Sequence, residues 1–312
     1  MSTIATRRRL LGGGLALGLL TACGTAAPPT ATVPATREIE TAKGRIRIPV
    51  NPQRVVTAIN YAMHDLFDVG FTPIGVPDGF ATAVLPEFAS LYQGIEKVGP
   101  WNQLDLEKIA ALKPDLILGL DAELNAPLYD RLTAIAPTAL FSLAGTGDWT
   151  KVAAEFADAV GRADQFAALR QQYRGRAAAL RATYAAQLQG RPWAIVTAPA
   201  GKWVLWYPDS SAGQVLGELG VSLVGAAAGQ TGNYREFTYE QLATLADAAV
   251  IVTSGSQENI PAGIRQLLDL ATFKALPAAQ RGRVFHLPQL FPASYKAALA
   301  LLDQAGVVLR QL

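Results

Sequence analysis

The sequence is poor in the residues that make covalent cross-links and metal sites. Cys23 is the only cysteine in the chain of 312 residues, so no disulfide can form within it. The two histidines, His64 and His286, lie far apart and in no ligand spacing, which disfavours direct capture of a metal ion. We therefore expect neither a resident metal nor a cofactor.

An excess of positive charge is also missing. The formal net charge is only +2, and lysine and arginine are scattered along the chain, so nothing indicates a nucleic-acid partner. The sequence has no G-x-S-x-G motif, no G-x-G-x-x-G after a predicted strand, and no suggestive arrangement of serine, histidine and aspartate. We therefore predict that the protein is not an enzyme.

The apolar run at the N-terminus is too short to span a membrane and has instead the layout of an export signal. Residues 1–22 are the predicted signal peptide, because three arginines, an apolar run and small residues lead directly to Cys23. This order resembles a bacterial lipobox, in which the cysteine becomes the lipidated first residue of the mature protein. The alternative is an ordinary signal peptide that is cut elsewhere. The arginines also resemble a twin-arginine export motif, although Sec signals are often basic too.

Residues 23–37 are predicted to be the lipidated cysteine and a flexible tether. Alanine, proline and threonine dominate this stretch, and its first part has neither charge nor a hydrophobic period. Such a segment would hold a folded body away from a membrane. We therefore expect the mature protein in the periplasm or on the outer face of the cell membrane, held there by its lipid anchor.

Strand and helix patterns alternate in two stretches of similar length, residues 38–147 and 191–312. This alternation predicts an α/β protein with two Rossmann-like lobes, each built on a parallel sheet with helices on both faces. The short stretches 106–117 and 239–250 align without gaps, as in a duplicated plan. Convergence on a common helix–strand unit explains this match equally well.

Residues 148–190 are predicted to connect the lobes through helices. Gly161 should end a first, shorter helix, so that a single long helix over 163–189 joins the two lobes. Apolar residues recur there at helical spacing, namely Phe166, Leu169, Tyr173, Leu180 and Tyr184. Because bending a long helix breaks backbone hydrogen bonds, we expect little lobe motion and a largely preformed cleft.

Five short motifs together carry a family resemblance. They are NPQRVV at 51–56, LEKIAALKPDLIL at 106–118, IAPT at 135–138, FTYEQL at 237–242 and QRGRVF at 280–285. From Ile46 to the C-terminus, the chain resembles the solute-binding proteins of ABC importers for ferric siderophores, haem and cobalamin. The resemblance implies two lobes joined by one long helix, one ligand bound between them, and delivery of that ligand to a permease.

Among the ligands of that family, a ferric siderophore is the one we favour, and we expect the protein to act as a monomer. Cobalamin and haem remain open, including haem ligation by His64 or a tyrosine. The alternatives from other classes are a hydrolase-like α/β enzyme and a sensor component.

The resemblance also implies two docking residues. Glu107 and Glu240 match the surface glutamates, one per lobe, that such proteins use to dock on arginines of the transmembrane subunits. Two acidic side chains on a rigid body would orient the encounter and make it sensitive to salt. The alternative explanation for these two glutamates is that they stabilise their own helices, because a glutamate in the first turn interacts favourably with the helix dipole and needs no partner.

Ligands of open parallel sheets lie beyond the carboxyl ends of the strands. In the second lobe this rule selects loops at 229–236, 254–259 and 289–291. The aromatic residues expected to contact the ligand are Tyr61, Phe80, Trp101, Trp203, Trp206, Tyr207 and Tyr234. Trp203 and Tyr207 share one strand face and Trp206 has the other, so at least one of the three should belong to the core.

Two polar residues complete the expected site. Arg235, in the sequence GNYREF, is the cation that would meet an anionic ferric chelate, because a guanidinium offers a fixed fork of donors and a face for stacking. A solvated loop arginine is the alternative. His64 follows Tyr61 by three residues and is expected to line the cleft beside it.

Overall fold

The structure is a computed structural model that describes residues 35–79, 84–100, 102–121, 125–143, 149–199 and 201–312. The predicted signal peptide, Cys23 and most of the predicted tether lie outside the described residues, as do Phe80 and Trp101. No helix within the described ranges is long and apolar enough to cross a bilayer.

The described chain begins with a β-hairpin that the sequence predicts only in part. Strand β1 (Thr36–Thr41) pairs antiparallel with β2 (Gly44–Pro49), so the predicted tether overlaps the first strand by two residues. Arg45 faces Glu40 across the hairpin, and their side chains form an ion pair of 2.6 Å. Because half of the side chains of β1 are charged and only Ile39 is apolar, its sequence lacks the apolar alternation that usually reveals a strand.

The first lobe is built on a five-stranded parallel sheet, as predicted. Its strands lie in the order β5-β4-β3-β6-β7, which places β3 at the centre of the sheet. The strands are β3 (Val55–Thr57), β4 (Gly75–Asp78), β5 (Glu96–Pro100), β6 (Leu116–Leu120) and β7 (Thr138–Phe141). The helices are α1 (Asn60–Asp68), α2 (Ala89–Gly94), α3 (Leu106–Ala111) and α4 (Tyr129–Thr133), with 3₁₀ turns at Pro86–Phe88 and Ala126–Leu128.

Three helices connect the lobes: α5 (Trp149–Ala159), α6 (Ala163–Thr183) and α7 (Ala185–Leu188). Gly161 has a φ of 68°, a left-handed conformation suited to glycine, and separates α5 from α6 as predicted. The predicted long helix extends to residue 189, but α6 ends six residues earlier. Tyr184 leaves the helical conformation with φ −110° and ψ 25°, and only the single turn of α7 follows.

The second lobe contains another five-stranded sheet, in the order β10-β9-β8-β11-β12. Its strands are β8 (Trp193–Thr197), β9 (Trp203–Trp206), β10 (Tyr234–Phe237), β11 (Val250–Ser254) and β12 (Val284–Leu287). Its helices are α8 (Ser211–Leu219), α9 (Ala262–Asp269), α10 (Ala271–Lys274), α11 (Pro277–Gln280) and α12 (Tyr295–Leu309), with a 3₁₀ helix at Tyr239–Leu245.

One strand of the second sheet departs from the predicted parallel plan. β9 pairs antiparallel with both of its neighbours, β8 and β10, so β10 runs in the same direction as β8. The connection between β8 and β9 is only residues 198–202, which is too short for the crossover that two adjacent parallel strands need. The predicted strand at 222–224 contributes only a bridge between Leu223 and Trp193.

A continuous apolar cluster joins the two lobes to the connecting helices. Phe166 and Tyr173 of α6 pack in this cluster with Trp149 of α5, Val69 of the first lobe and Leu301 of α12. Residues 35–312 accordingly form one compact unit. Opening the lobes widely would expose part of this cluster to water, so the packing supports our expectation of little lobe motion.

Candidate functional site

A cavity of about 350 Å³ lies beside the carboxyl ends of β8 and β11. Residues 197–199 form one side of this cavity and Ser254 forms another. The outer strands β9 and β10 form the third side. Its lining side chains are Thr197, Ala198, Pro199, Val204, Trp206, Tyr234, Glu236, Ser254, Pro261 and Ile264. We call this space the second-lobe cavity. It occupies the edge of the sheet at which a ligand of a parallel α/β lobe is expected.

Trp206 and Tyr234 line this cavity, and Phe291 packs on Trp206; we call these three aromatic side chains the aromatic wall. The Trp206 ring lies 4.9 Å from that of Tyr234 and 4.4 Å from that of Phe291, measured between ring centroids. Trp206 Nε1 donates a hydrogen bond of 2.9 Å to Thr197 Oγ1, which holds the indole over the end of β8. Tyr234 is 50% exposed, so the wall offers aromatic surface to a ligand.

Trp203 and Tyr207 do not face this cavity. Trp203 is completely buried, stacks on Phe237 at 4.5 Å and donates a hydrogen bond of 2.8 Å to the carbonyl of Thr238. Tyr207 is buried in the same cluster. The shared strand face predicted for these two residues is therefore the core face, and Trp206 has the other face.

Arg235 lies away from the position expected for a ligand-binding cation. It belongs to strand β10 rather than to a loop, and its guanidinium sits 5.1 Å from the ring centroid of Phe237. Because side chains alternate along a strand, Arg235 and Phe237 lie on the face opposite to Tyr234 and Glu236, which line the cavity. Arg235 therefore does not point into the second-lobe cavity.

The only charged side chain that lines the second-lobe cavity, within the described parts of the chain, is Glu236. Its Oε2 forms an ion pair of 2.7 Å with Nζ of Lys202, and both side chains are about half exposed. The aromatic wall is therefore accompanied by a neutralised ion pair rather than by a free cation.

A second, smaller cavity lies where the two lobes meet, and we call it the junction cavity. Tyr61 and Asp65 of α1 line it from the first lobe, Trp149 from α5, and Ala293 from the segment before α12. Burial raises the pKa of Tyr61, so its hydroxyl stays protonated. Ala293 follows Phe291 of the aromatic wall by two residues in the same segment.

His64 is buried on α1 and lines neither of these two cavities. Burial lowers the pKa of His64 to about 4, so its imidazole is neutral at neutral pH. His286 Nδ1 lies 2.6 Å from Thr253 Oγ1, between neighbouring strands. Across the described residues, no three side chains of histidine, cysteine, aspartate or glutamate are grouped to hold a metal ion.

Asp68, at the end of α1, connects the first lobe to the N-terminus of α12. Its Oδ2 accepts a hydrogen bond of 2.7 Å from the backbone N–H of Lys296, and its Oδ1 is inaccessible to solvent. Burial raises the pKa of Asp68 to about 7, although the Lys296 N–H lowers it. The pKa of the neighbouring Asp65 is also raised well above its usual range, by burial and by the charge of Asp68.

The stability of the protein should therefore fall as the pH rises. Between about pH 4 and about pH 7 the folded state holds a proton on Asp68 that the unfolded state has lost, since the ordinary pKa is 3.8. We expect the free energy of unfolding to be about 2 kcal/mol lower near pH 8 than near pH 5. In Asp68→Asn, which keeps an acceptor for the Lys296 N–H, this decrease should be reduced and only the part due to Asp65 should remain.

Urea unfolding at several pH values measures this effect. Asp303→Asn is the matched control, because Asp303 is exposed and paired with Arg176 on the surface. An Asp68→Asn variant with the same pH dependence as the parent protein would show that this carboxyl group does not titrate in the expected window.

Glu107 and Glu240 occupy equivalent places in the two lobes. Glu107 is exposed in the first turn of α3, just beyond the carboxyl end of β5, and Glu240 is exposed just beyond that of β10. Asp105 caps α3, and Thr238 with Gln241 forms a capping box for the other helix. Neither cap is supplied by the glutamate, which weakens the local explanation for Glu107. For Glu240 the local explanation still applies, because hydrogen bonds from Thr238 and from its own backbone N–H lower its pKa.

Two α/β lobes are joined by a long helix, and an aromatic cavity lies at the strand ends of the second lobe; together these features define a two-lobed binding-protein architecture. The chain belongs to the periplasmic binding protein family, whose model matches residues 56–290. This finding agrees with the resemblance that the sequence motifs carry.

Individual relatives support the same family. The chain is 30% identical over 187 residues to the probable siderophore-binding lipoprotein YfiY of Bacillus subtilis, a match that covers 59% of this chain and 57% of that protein. It is 29% identical over 245 residues to the Fe(3+) dicitrate-binding periplasmic protein FecB of Escherichia coli, covering 77% and 78% of the two chains. The siderophore periplasmic binding protein from the fuscachelin gene cluster of Thermobifida fusca superposes with a TM-score of 0.75 at 27% identity, over 85% of this chain and 99% of that one.

Proposed function

We propose that this protein captures a ferric siderophore between its two lobes and delivers it to the transmembrane subunits of an ABC importer. The observation that carries the proposal is the aromatic wall of Trp206, Tyr234 and Phe291 beside the carboxyl ends of β8 and β11. Relatives named for binding siderophores and ferric dicitrate support the ligand class.

The protein binds its ligand and releases it without chemical change, so it requires no cofactor, and iron enters only as part of the ligand. It acts as a monomer on the outer side of the cell membrane, attached through a lipid on Cys23. In this arrangement residues 1–22 are the signal peptide, 23–37 the lipidated cysteine and tether, 38–147 and 191–312 the lobes, and 148–190 the connection. Twin-arginine export is one route that the basic N-terminus allows.

Docking on the importer uses Glu107 and Glu240. Both carboxylates are exposed, one on each lobe, at the same edge at which the strands of that lobe end. The ligand is released at this edge, so the two glutamates present the loaded cleft to the transmembrane subunits. Opposite charges on the importer would orient the encounter.

Tryptophan fluorescence tests the ligand class directly. We expect saturable quenching when the purified protein is titrated with a ferric siderophore, because Trp206 lies at the second-lobe cavity. Haem and cobalamin are the comparison ligands, and stronger binding of either would replace the siderophore with that ligand. Binding of none of these compounds would contradict the proposal.

The variant Trp206→Phe identifies the fluorophore. It keeps an aromatic ring in the wall and removes the indole that reports on the cavity, so quenching should decrease much more than affinity. Trp193→Phe is the matched control, since Trp193 is a completely buried core residue of the same sheet.

A further inference from the structure

Lys296, in the first turn of α12, is held by the first lobe at three points. Its backbone N–H donates a hydrogen bond of 2.7 Å to Asp68 Oδ2 at the end of α1. Its Nζ forms an ion pair of 3.0 Å with Glu87 and lies 4.6 Å from the ring centroid of Phe88. We call these four residues the latch. Because α12 belongs to the second lobe and the other three residues to the first, the latch joins the two lobes.

The first-lobe side of the latch is firmly anchored. Both side chains that contact the ammonium group belong to segment 84–94, which follows β4 and precedes β5. The Phe88 ring packs on that of Phe67 in α1, with 5.2 Å between their centroids. Tyr92 Oη donates a hydrogen bond of 3.0 Å to the carboxylate of Asp78, the last residue of β4. The segment is therefore fixed to its own lobe, and a movement of α12 away from that lobe would break the latch.

Segment 84–94 also lies beside a cavity of the first lobe. This cavity has a volume of about 380 Å³, lies at the carboxyl ends of β4 and β5, and is lined by Asp78, Lys97 and Lys108 among others. We call it the first-lobe cavity. Lys97 Nζ donates a hydrogen bond to the carbonyl of Tyr92, so a residue of this cavity holds the segment in place.

The second-lobe side of the latch is equally close to the expected ligand position. Phe291 of the aromatic wall precedes Lys296 by five residues, and Ala293 of the junction cavity precedes it by three. Asp65, which lies one turn before Asp68 on α1, lines the same junction cavity. Among the described residues that line the three cavities, however, none belongs to the latch.

The connecting helix holds α12 further from the cleft. Arg176 of α6 pairs with Asp303 of α12 at 2.7 Å. Asp303 lies about 10 Å beyond Lys296 along the helix axis, at about 1.5 Å per residue. A small opening of the cleft can therefore separate the latch while the contacts between α6 and α12 remain.

We propose that the latch holds the lobes together around a bound ligand and that its opening limits the rate at which the ligand leaves. The ion pair and the cation–π contact involve partly exposed side chains, so each is weak alone. A moving lobe loses both contacts at once, which slows release and still allows it. This inference rests on the proposed function, because it assigns the release of the same ligand to residues outside the three cavities.

Stopped-flow measurement of ligand dissociation tests the latch. The probe is whichever of ferrichrome, ferric enterobactin and ferric citrate quenches the tryptophan fluorescence of the parent protein. Lys296→Met keeps an apolar side chain against Phe88 and removes the charge. Its dissociation rate constant should rise by about fivefold or more, and its association rate constant should change by less than about twofold.

Lys274→Met is the matched control for this measurement. Lys274 is also a second-lobe lysine in an ion pair, but its partner Asp269, at 3.5 Å, belongs to the same lobe. This variant should release the probe as the parent protein does. An unchanged dissociation rate constant in Lys296→Met would overturn the proposal.

Two further variants separate the latch from a general structural role. Lys296→Arg keeps a cation and should release the probe at nearly the parental rate. Glu87→Gln should speed release, and combining it with Lys296→Met should add little, because both changes remove the same ion pair. Fully additive effects would show that the two residues act separately, which would also contradict the latch.

Amide hydrogen exchange without ligand distinguishes failure of the latch from failure of the proposed function. The N–H at position 296 and those of segment 84–94 should exchange faster in Lys296→Met than in the parent protein or in Lys274→Met. Equal exchange in all three proteins would overturn the latch and leave ligand capture untouched. If the parent protein binds none of the probes, the proposed function fails, while faster exchange in Lys296→Met still supports the contact between the lobes.

Discussion

A double variant with Glu107→Ala and Glu240→Ala is expected to bind its ligand with unchanged affinity and to lose most of its transport activity. Both side chains are exposed, and neither lines a described cavity at the cleft, so their removal leaves the aromatic wall intact. Uptake of iron supplied as the siderophore, in cells that lack the parent copy, should fall by at least about tenfold.

The reason for this large effect is geometric. Each glutamate stands beyond the carboxyl end of a strand in its own lobe, and the shared apolar cluster holds the two lobes together. In the proposed docking, the two carboxylates would make a pair of contacts at a constant separation, and both contacts would be needed for the cleft to face the permease. Single variants should transport at intermediate rates, and added salt should weaken docking of the parent protein.

Two other exposed acids provide the control for docking. Glu38 and Glu96 lie on the N-terminal hairpin and at the start of β5, away from the carboxyl ends of the strands. A Glu38→Ala, Glu96→Ala double variant should transport as the parent protein does. Wild-type uptake by the Glu107, Glu240 double variant would favour the helix-dipole explanation for both residues.

The long connecting helix shows what the spacing of apolar residues reveals about the fold. Phe166, Leu169, Tyr173 and Leu180 recur at helical intervals, and all four are buried on one face of α6. The same spacing does not show where the helix ends. Tyr184 continues the same spacing but is only partly buried and leaves the helical conformation, because a periodic pattern does not reveal where backbone torsions change.

The outer strands of the second sheet show why the prediction for Arg235 was wrong. The stretch GNYREF begins with Gly232, lies shortly after Gly229 and has a charged centre, so it has the character of a loop. In the structure its last four residues form β10, which pairs with β9 at the edge of the sheet. In a strand, alternate side chains point to opposite faces of the sheet. The pairing of β10 therefore places Arg235 on the face that is turned away from the second-lobe cavity.

The same alternation explains why the ligand residues were predicted only in part. The sequence separates Trp206 from Trp203 and Tyr207, because neighbouring positions of a strand point to opposite faces. The sequence does not reveal which of the two strand faces is covered by the helices of the lobe. Only the packed structure shows that Trp203 lies beneath Phe237 and Trp206 beside Phe291, a residue more than eighty positions away.

Trp203→Ala should therefore reduce mainly stability and Trp206→Ala mainly ligand affinity, although the two residues belong to the same short strand. Trp203 is completely buried, so its truncation leaves a large cavity and should lower the free energy of unfolding by about 3–5 kcal/mol. Trp206 is partly buried and lines the second-lobe cavity, so its truncation should cost less stability. Its main effect should be a decrease in ligand affinity of about tenfold or more, from lost stacking and apolar contact.

Urea unfolding and calorimetric titration of both variants separate the two roles. If Trp203→Ala does not fold, Trp203→Phe provides a milder test, since it keeps a ring against Phe237 but loses the hydrogen bond to the Thr238 carbonyl. That variant should be less stable than the parent protein and should bind ligand normally once folded. Unchanged affinity in a well-folded Trp206→Ala variant would remove the aromatic wall from the binding site, and with it the observation that carries the proposed function.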